Sequence, residues 1–151
     1  MLPRSLVIAI LIGILAGGIF GTFFVTLKDT NHLEFVEGPS LSIITQKTDY
    51  ELGEEIEIKI INSGTEELTF SDASYGLKIT GLDGRVLYSP IAVQVISKLE
   101  PKQEMTFVWD QIKSDGDPLQ RGTYKITSRA NDALEKTVKK SITINIYKKF
   151  L

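Results

Sequence analysis

Residues 54–62, "EEIEIKIIN", decide how the rest of the chain is read. Isoleucine recurs at 56, 58 and 60, with Glu55, Glu57 and Lys59 flanking and between them. In a strand, successive side chains point to opposite faces, so the isoleucines share one side and the charges the other. Such alternation predicts an antiparallel strand with one face in a core and one in water. "YELGEE", residues 50–55, reads as the turn before it, and "NSGTEE", residues 62–67, as the turn after.

Similar segments follow on both sides. "LSIITQ" (41–46) precedes. "LTF", "YGLKIT", "RVLYS", "VQVISKL", "MTFVWD", "GTYKITSRA" and "KSITINIYK" come after. Turn signals separate many of them: Gly81-Leu82-Asp83-Gly84, Glu100-Pro101, Asp115-Gly116-Asp117-Pro118 and Asn131-Asp132. Eight or nine short strands with no helical period predict an all-β fold, an immunoglobulin-like antiparallel β-sandwich over residues 41–151. The expected core joins the three isoleucines to Ile43, Leu77, Ile79 and Val86. Phe107, Trp109, Tyr124, Ile126, Ile142 and Ile144 complete it. Trp109, the single tryptophan, is expected to pack in this core and donate its indole N–H.

Four stretches carry a resemblance, in this order: "NSGTEELTF" (62–70), "YGLKITGLDGRVLY" (75–88), "LEPKQEMTFVWDQ" (99–111) and "GDPLQRGTYKI" (116–126). Together they resemble the intracellular proteinase inhibitor (BsuPI-like) family. The shared features are an N-x-G turn, a Tyr before a D-G hairpin, a Leu-x-Pro turn, a W-D-Q strand and a closing G-x-Y strand. The resemblance covers about residues 41–130. It implies a β-sandwich, and it implies proteinase inhibition as one candidate activity.

The N-terminus is of a different kind. Residues 6–27 contain no charged side chain. As a helix, twenty-two residues span roughly 33 Å, matching a hydrocarbon core of about 30 Å. The apolar region of a signal peptide is shorter, about 7–15 residues. One transmembrane α-helix acting as a signal anchor is therefore expected, with cleavage after Gly18 as the competing outcome. Residues 1–5 then form a cytoplasmic N-terminus and residues 28–40, "KDTNHLEFVEGPS", a linker in which "LEFVE" has the makings of a short strand. Arg4 precedes the span, and Lys28, Asp29, Glu34 and Glu37 follow it. The positive-inside rule places the C-terminal domain outside the cytoplasm. The expected localisation is the cell membrane, single-pass. Gly13, Gly17 and Gly21, each four apart, fall on one helix face and let a second helix approach closely.

Composition removes several function classes. From Lys28 onward the chain holds all nineteen acids and sixteen of the seventeen bases, a net of −3. No basic, aromatic-interleaved stretch appears, so no nucleic-acid partner is expected. The absence of cysteine excludes disulfides, thiolate metal sites, a thiol nucleophile and a lipoprotein anchor. His32, the one histidine, stands in the linker, too isolated for a Ser-His-Asp triad or a His-based metal site. Asp115 and Asp117 in "SDGDP" are weak candidates for a hard cation, but Asp, Gly and Pro make turns without one.

No enzyme activity and no cofactor are expected. The leading expectation is a membrane-anchored protein-binding module, an accessory or scaffold subunit of a membrane or cell-envelope complex. Its partners would be membrane lipid, other membrane subunits or itself through the glycine face, and an extracytoplasmic protein through the sandwich. A membrane-tethered proteinase inhibitor and a pilin-like filament subunit are the alternatives. Replacing Gly13, Gly17 and Gly21 by Leu is expected to preserve membrane insertion and weaken co-purification of partners after mild detergent extraction. Unchanged recovery would make the glycines incidental.

Overall fold

A computed structural model describes residues 13–14 and 33–149. The chain divides into two units, Met1–Thr30 and Asn31–Leu151. Of the first, Gly13 and Ile14 are helical; Gly17, Gly21 and the remainder of the expected span lie outside the described residues, as does His32. Among the described residues no helix is long and apolar enough to cross a membrane.

The second unit is all-β. Its strands are β1 (Leu41–Thr45), β2 (Asp49–Glu51), β3 (Ile56–Asn62), β4 (Leu68–Phe70), β5 (Lys78–Gly81), β6 (Val86–Tyr88), β7 (Ser97–Leu99), β8 (Glu104–Trp109), β9 (Gly122–Asn131) and β10 (Thr137–Tyr147). Three of them form one sheet in the order β1-β3-β8. The other seven form a second sheet ordered β2-β10-β9-β4-β7, with the β5–β6 hairpin also attached to β9. One apolar cluster contains inward side chains of both sheets, so the two layers form a sandwich.

The opening stretch behaves as its alternation demands. Ile56, Ile58 and Ile60 are fully buried, opposite Trp109, Phe107 and Met105 of β8. Ile126, Ile142 and Ile144 are buried from the facing sheet. Phe107 and Tyr124 are partly buried against the same core. Tyr50, Leu68, Phe70, Leu99, Leu119 and Ile146 add to it beyond the residues expected from sequence.

Three expectations need correction. Val86 is half exposed, because the β5–β6 register shifts between Ile79 and Thr80. Val86 therefore lies opposite Thr80, while Tyr88 faces Ile79 and stacks on Trp109 with 5.6 Å between ring centroids. The sandwich is also not wholly antiparallel. Tyr50 and Glu51, expected within the turn over residues 50–55, instead belong to β2, which runs parallel to β10. Asn145 fixes that pairing: its side-chain amide donates to Asp49 Oδ1 at 2.9 Å and its backbone N–H to the Thr48 carbonyl at 2.8 Å. Finally, of the expected strand 93–99 only Ser97–Leu99 pairs, with β4.

The end of the linker is tied to the sandwich. Val36 N–H donates to the Ser63 carbonyl at 2.9 Å, Ser63 N–H to Ser40 at 3.1 Å and Thr65 N–H to Gly38 at 2.9 Å. Gly64 is required there, since a Cβ would lie 2.1 Å from the Gly38 carbonyl oxygen. "LEFVE" forms no strand. Asn62 anchors the adjoining turn from inside. Its side-chain amide donates to the carbonyls of Glu66 and Leu99, both at 2.7 Å, and its Oδ1 accepts Gly64 N–H at 3.0 Å.

Asn62 is fully buried, so truncation orphans three backbone groups at once. Asn62→Ala is expected to cost about 3 kcal/mol, read by urea unfolding through Trp109 emission. A loss below about 0.5 kcal/mol, the range of an ordinary surface substitution, would contradict this role.

Candidate functional site

The motifs behind the family resemblance have structural work in this fold. Trp109 is buried and donates its indole N–H to the Ile112 carbonyl at 2.8 Å. Asp110 Oδ1 accepts Ile112 N–H at 3.1 Å. Gln111 is buried and reaches into the β2–β3 turn, donating to the carbonyls of Glu51 and Glu54 at 2.8 and 2.9 Å and accepting Gly53 N–H at 2.9 Å. Tyr124 donates its hydroxyl to the Gln120 carbonyl at 2.8 Å. That bond, from the start of a strand back to a residue four upstream, has the form of a tyrosine corner in sandwich domains. These side chains lock corners and turns. Of these side chains the Asp110 carboxylate is exposed to solvent.

The "SDGDP" segment is a turn closed on itself. Asp115 Oδ1 accepts Asp117 N–H at 3.0 Å, and Gly116 has φ 88°. Lys113 Nζ lies 3.5 Å from Asp115 Oδ2 and 3.3 Å from Asp117 Oδ2. The Asp117 N–H, aided by the Lys113 charge, holds the Asp115 carboxyl below its ordinary value. The two carboxylates thus already share a cation, the lysine ammonium. Among the described residues no group of three or more His, Cys, Asp and Glu side chains is arranged to hold a metal.

Two surface features remain after the structural assignments. One is the loop between β6 and β7, residues 89–96, "SPIAVQVI". Ile91, Val93, Val95 and Ile96 are 106%, 70%, 55% and 69% exposed. Four aliphatic side chains in six residues stand in water, whereas the apolar residues of neighbouring β4 and β5 are buried. The loop is held at its base. Ala73 N–H donates to the Val93 carbonyl at 3.2 Å, and Ser89 donates its hydroxyl to the Leu77 carbonyl at 3.2 Å. The loop's β-branched side chains suit a strand, yet residues 89–96 form none. The lack of a partner strand for residues 89–96 is visible only in three dimensions.

The second feature is a groove of about 640 Å³ on the outward face of the larger sheet. Lys78, Arg129 and Lys139 line it, with Asp72 as its one carboxylate. Lys139 is directly opposite Arg129 in the β9–β10 ladder, and Lys78 is opposite Thr127 in the β5–β9 ladder. Arg129 donates to Thr137 Oγ1 at 3.0 Å. The Asp72 carboxyl is held below its ordinary value by the Ser74 hydroxyl, then by the Ser74 N–H and the Lys78 charge.

No protein-family profile and no curated protein matches the chain. Solved structures are similar to parts of it, including these two. One is Spo0M, a sporulation control protein from Bacillus subtilis, with 13% identity and a TM-score of 0.46, covering 74% of this chain and 51% of that one. The other is PapD-like domain 7 of human CEP192, with 16% identity and a TM-score of 0.35, covering 82% of this chain and 97% of that one. This chain therefore spans about half the length of Spo0M.

Proposed function

We propose that the chain is a non-enzymatic, membrane-anchored protein-binding module, an accessory or scaffold subunit of a membrane or cell-envelope complex. In this reading the N-terminal helix lies in the membrane, with its N-terminus in the cytoplasm. The immunoglobulin-like sandwich lies outside and holds a protein partner. The observation that supports it most is the exposed aliphatic loop at residues 91–96. Contiguous exposed apolar side chains mark interaction surfaces. Burying an aliphatic side chain of this size stabilises a complex by about 1.5 kcal/mol or more. The loop is mounted on a sandwich whose turns are closed by buried Asn62 and Gln111, and its own Val93 carbonyl accepts Ala73 N–H.

The family resemblance supplies a second reading, a membrane-tethered proteinase inhibitor. An exposed loop on a rigid frame is also a form in which a protease could be engaged. Stoichiometric inhibition of a serine protease by the purified chain would favour that reading over the scaffold.

A double variant, Val93→Asp with Ile96→Asp, tests the docking role. Both side chains are exposed, so stability is expected to change by less than about 0.5 kcal/mol. Recovery of co-purifying protein from detergent-solubilised membranes is expected to fall by about tenfold, the effect of losing one modest hot spot. Recovery equal to wild type with a folded variant would refute the loop as the docking surface.

A further inference from the structure

We infer that the groove on the outward face of the larger sheet binds an anionic polysaccharide, one bearing carboxylate or phosphate groups along a hydroxylated chain. This site is separate from the aliphatic loop and goes beyond the protein-binding reading.

An electrostatic conflict marks the groove. Arg129 and Lys139 are directly opposite in an antiparallel ladder, and both point outward. Like charges in that position destabilise a sheet. Among the described residues neither they nor Lys78 belongs to a salt bridge; the ion pairs form elsewhere, as at Lys59–Glu104 and Lys98–Glu67. Neither β9 nor β10 contains an acidic residue, although the chain holds more acids than bases. The groove's one carboxylate, Asp72, accepts the hydroxyl and the N–H of Ser74 and sets a single negative charge against the three cations. An anionic ligand would relieve this repulsion.

The chemistry around the cations suits the same class of ligand. Thr69, Ser71, Thr127, Asn131 and Thr137 line the same groove. Hydroxyls and amides both donate and accept, which suits a ligand dense in hydroxyl groups. No aromatic side chain lines the groove, so there is no platform on which nucleic-acid bases would stack. Nor does β9, its floor, offer an edge for an added peptide strand. One side pairs with β10 along its length, and the other pairs with β5 and, at Asn131, with β4. Between those two partners Gly76 runs against Arg129 so closely that a Cβ would lie 2.3 Å from the Arg129 carbonyl oxygen. A flat, hydroxylated polyanion fits this surface better than an acidic peptide or a single-stranded nucleic acid.

The test uses the full chain in nanodiscs of zwitterionic lipid, with binding followed by calorimetry. The probes are a polyuronate oligosaccharide, heparin fragments, neutral dextran, poly-glutamate and a single-stranded oligonucleotide. The inference expects binding of the polyuronate or heparin, weakening as salt rises, and none of dextran. Arg129→Ser with Lys139→Ser is expected to reduce that affinity about tenfold or more, as charge-assisted hydrogen bonds are lost. The same pair should leave the melting temperature unchanged or higher, because the cross-strand repulsion disappears. Lys78→Gln provides an independent variant outside that ladder pair and should weaken glycan binding as well. The Val93→Asp, Ile96→Asp variant should retain it, which keeps this result distinct from that of the docking loop. Absence of glycan binding, affinity unaffected by the groove variants, or tighter binding of poly-glutamate or the oligonucleotide would each overturn the inference.

Discussion

Two apolar sheet faces must meet here, and the isoleucine stripe of β3 sets the terms on which they do. Ile56, Ile58 and Ile60 are buried against the layer that supplies Ile126, Ile142 and Ile144. Closing that interface also buries polar groups at its ends, and each must find a partner because desolvating it unpaired is costly. Asn62 and Gln111 meet much of this demand, each bonding three backbone groups of neighbouring turns. Among the described residues no buried side-chain nitrogen or oxygen is left without a partner. The frame that results can carry exposed features that contribute nothing to its own packing.

Those features divide the domain's surface. The aliphatic loop at 91–96 offers non-directional burial, which suits a protein partner. The groove around Arg129 and Lys139 offers fixed charge and hydroxyls, which suit a polyanion. In the proposed role the loop would take the protein partner and the groove the charged polymer, each on its own part of the sandwich surface.

Much of the fold was legible in the sequence, for identifiable reasons. Strands with one wet face announce themselves by alternation, as β3 does. The Gly81–Gly84 turn is also visible, with Gly84 at φ 82° and its N–H donating to the Gly81 carbonyl at 3.1 Å. Trp109 was placed correctly in the core with a partner for its indole. The failures are equally physical. β2 is three residues long and pairs in parallel with a strand almost a hundred positions away, so no local period reveals it. A register shift in β5–β6 exchanged Val86 for Tyr88 in the core. Propensity alone cannot separate the exposed residues 93–96 from the paired Ser97–Leu99. The groove was hidden because its cations come from three strands and because a net of −3 masks a local excess of positive charge. Asp115 and Asp117 are legible as a turn, but the lysine shared between their carboxylates is not. Gly13, Gly17 and Gly21 retain the sequence argument alone.

Site-specific photo-crosslinking in intact cells tests the central claim, that residues 91–96 meet a protein partner. A photoreactive residue would be placed at Val93 and, for comparison, at Thr143 on the outward face of β10; both positions are exposed. The account predicts a discrete protein adduct from position 93 and none from position 143. Adducts absent from position 93, or equal at the two positions, would contradict it.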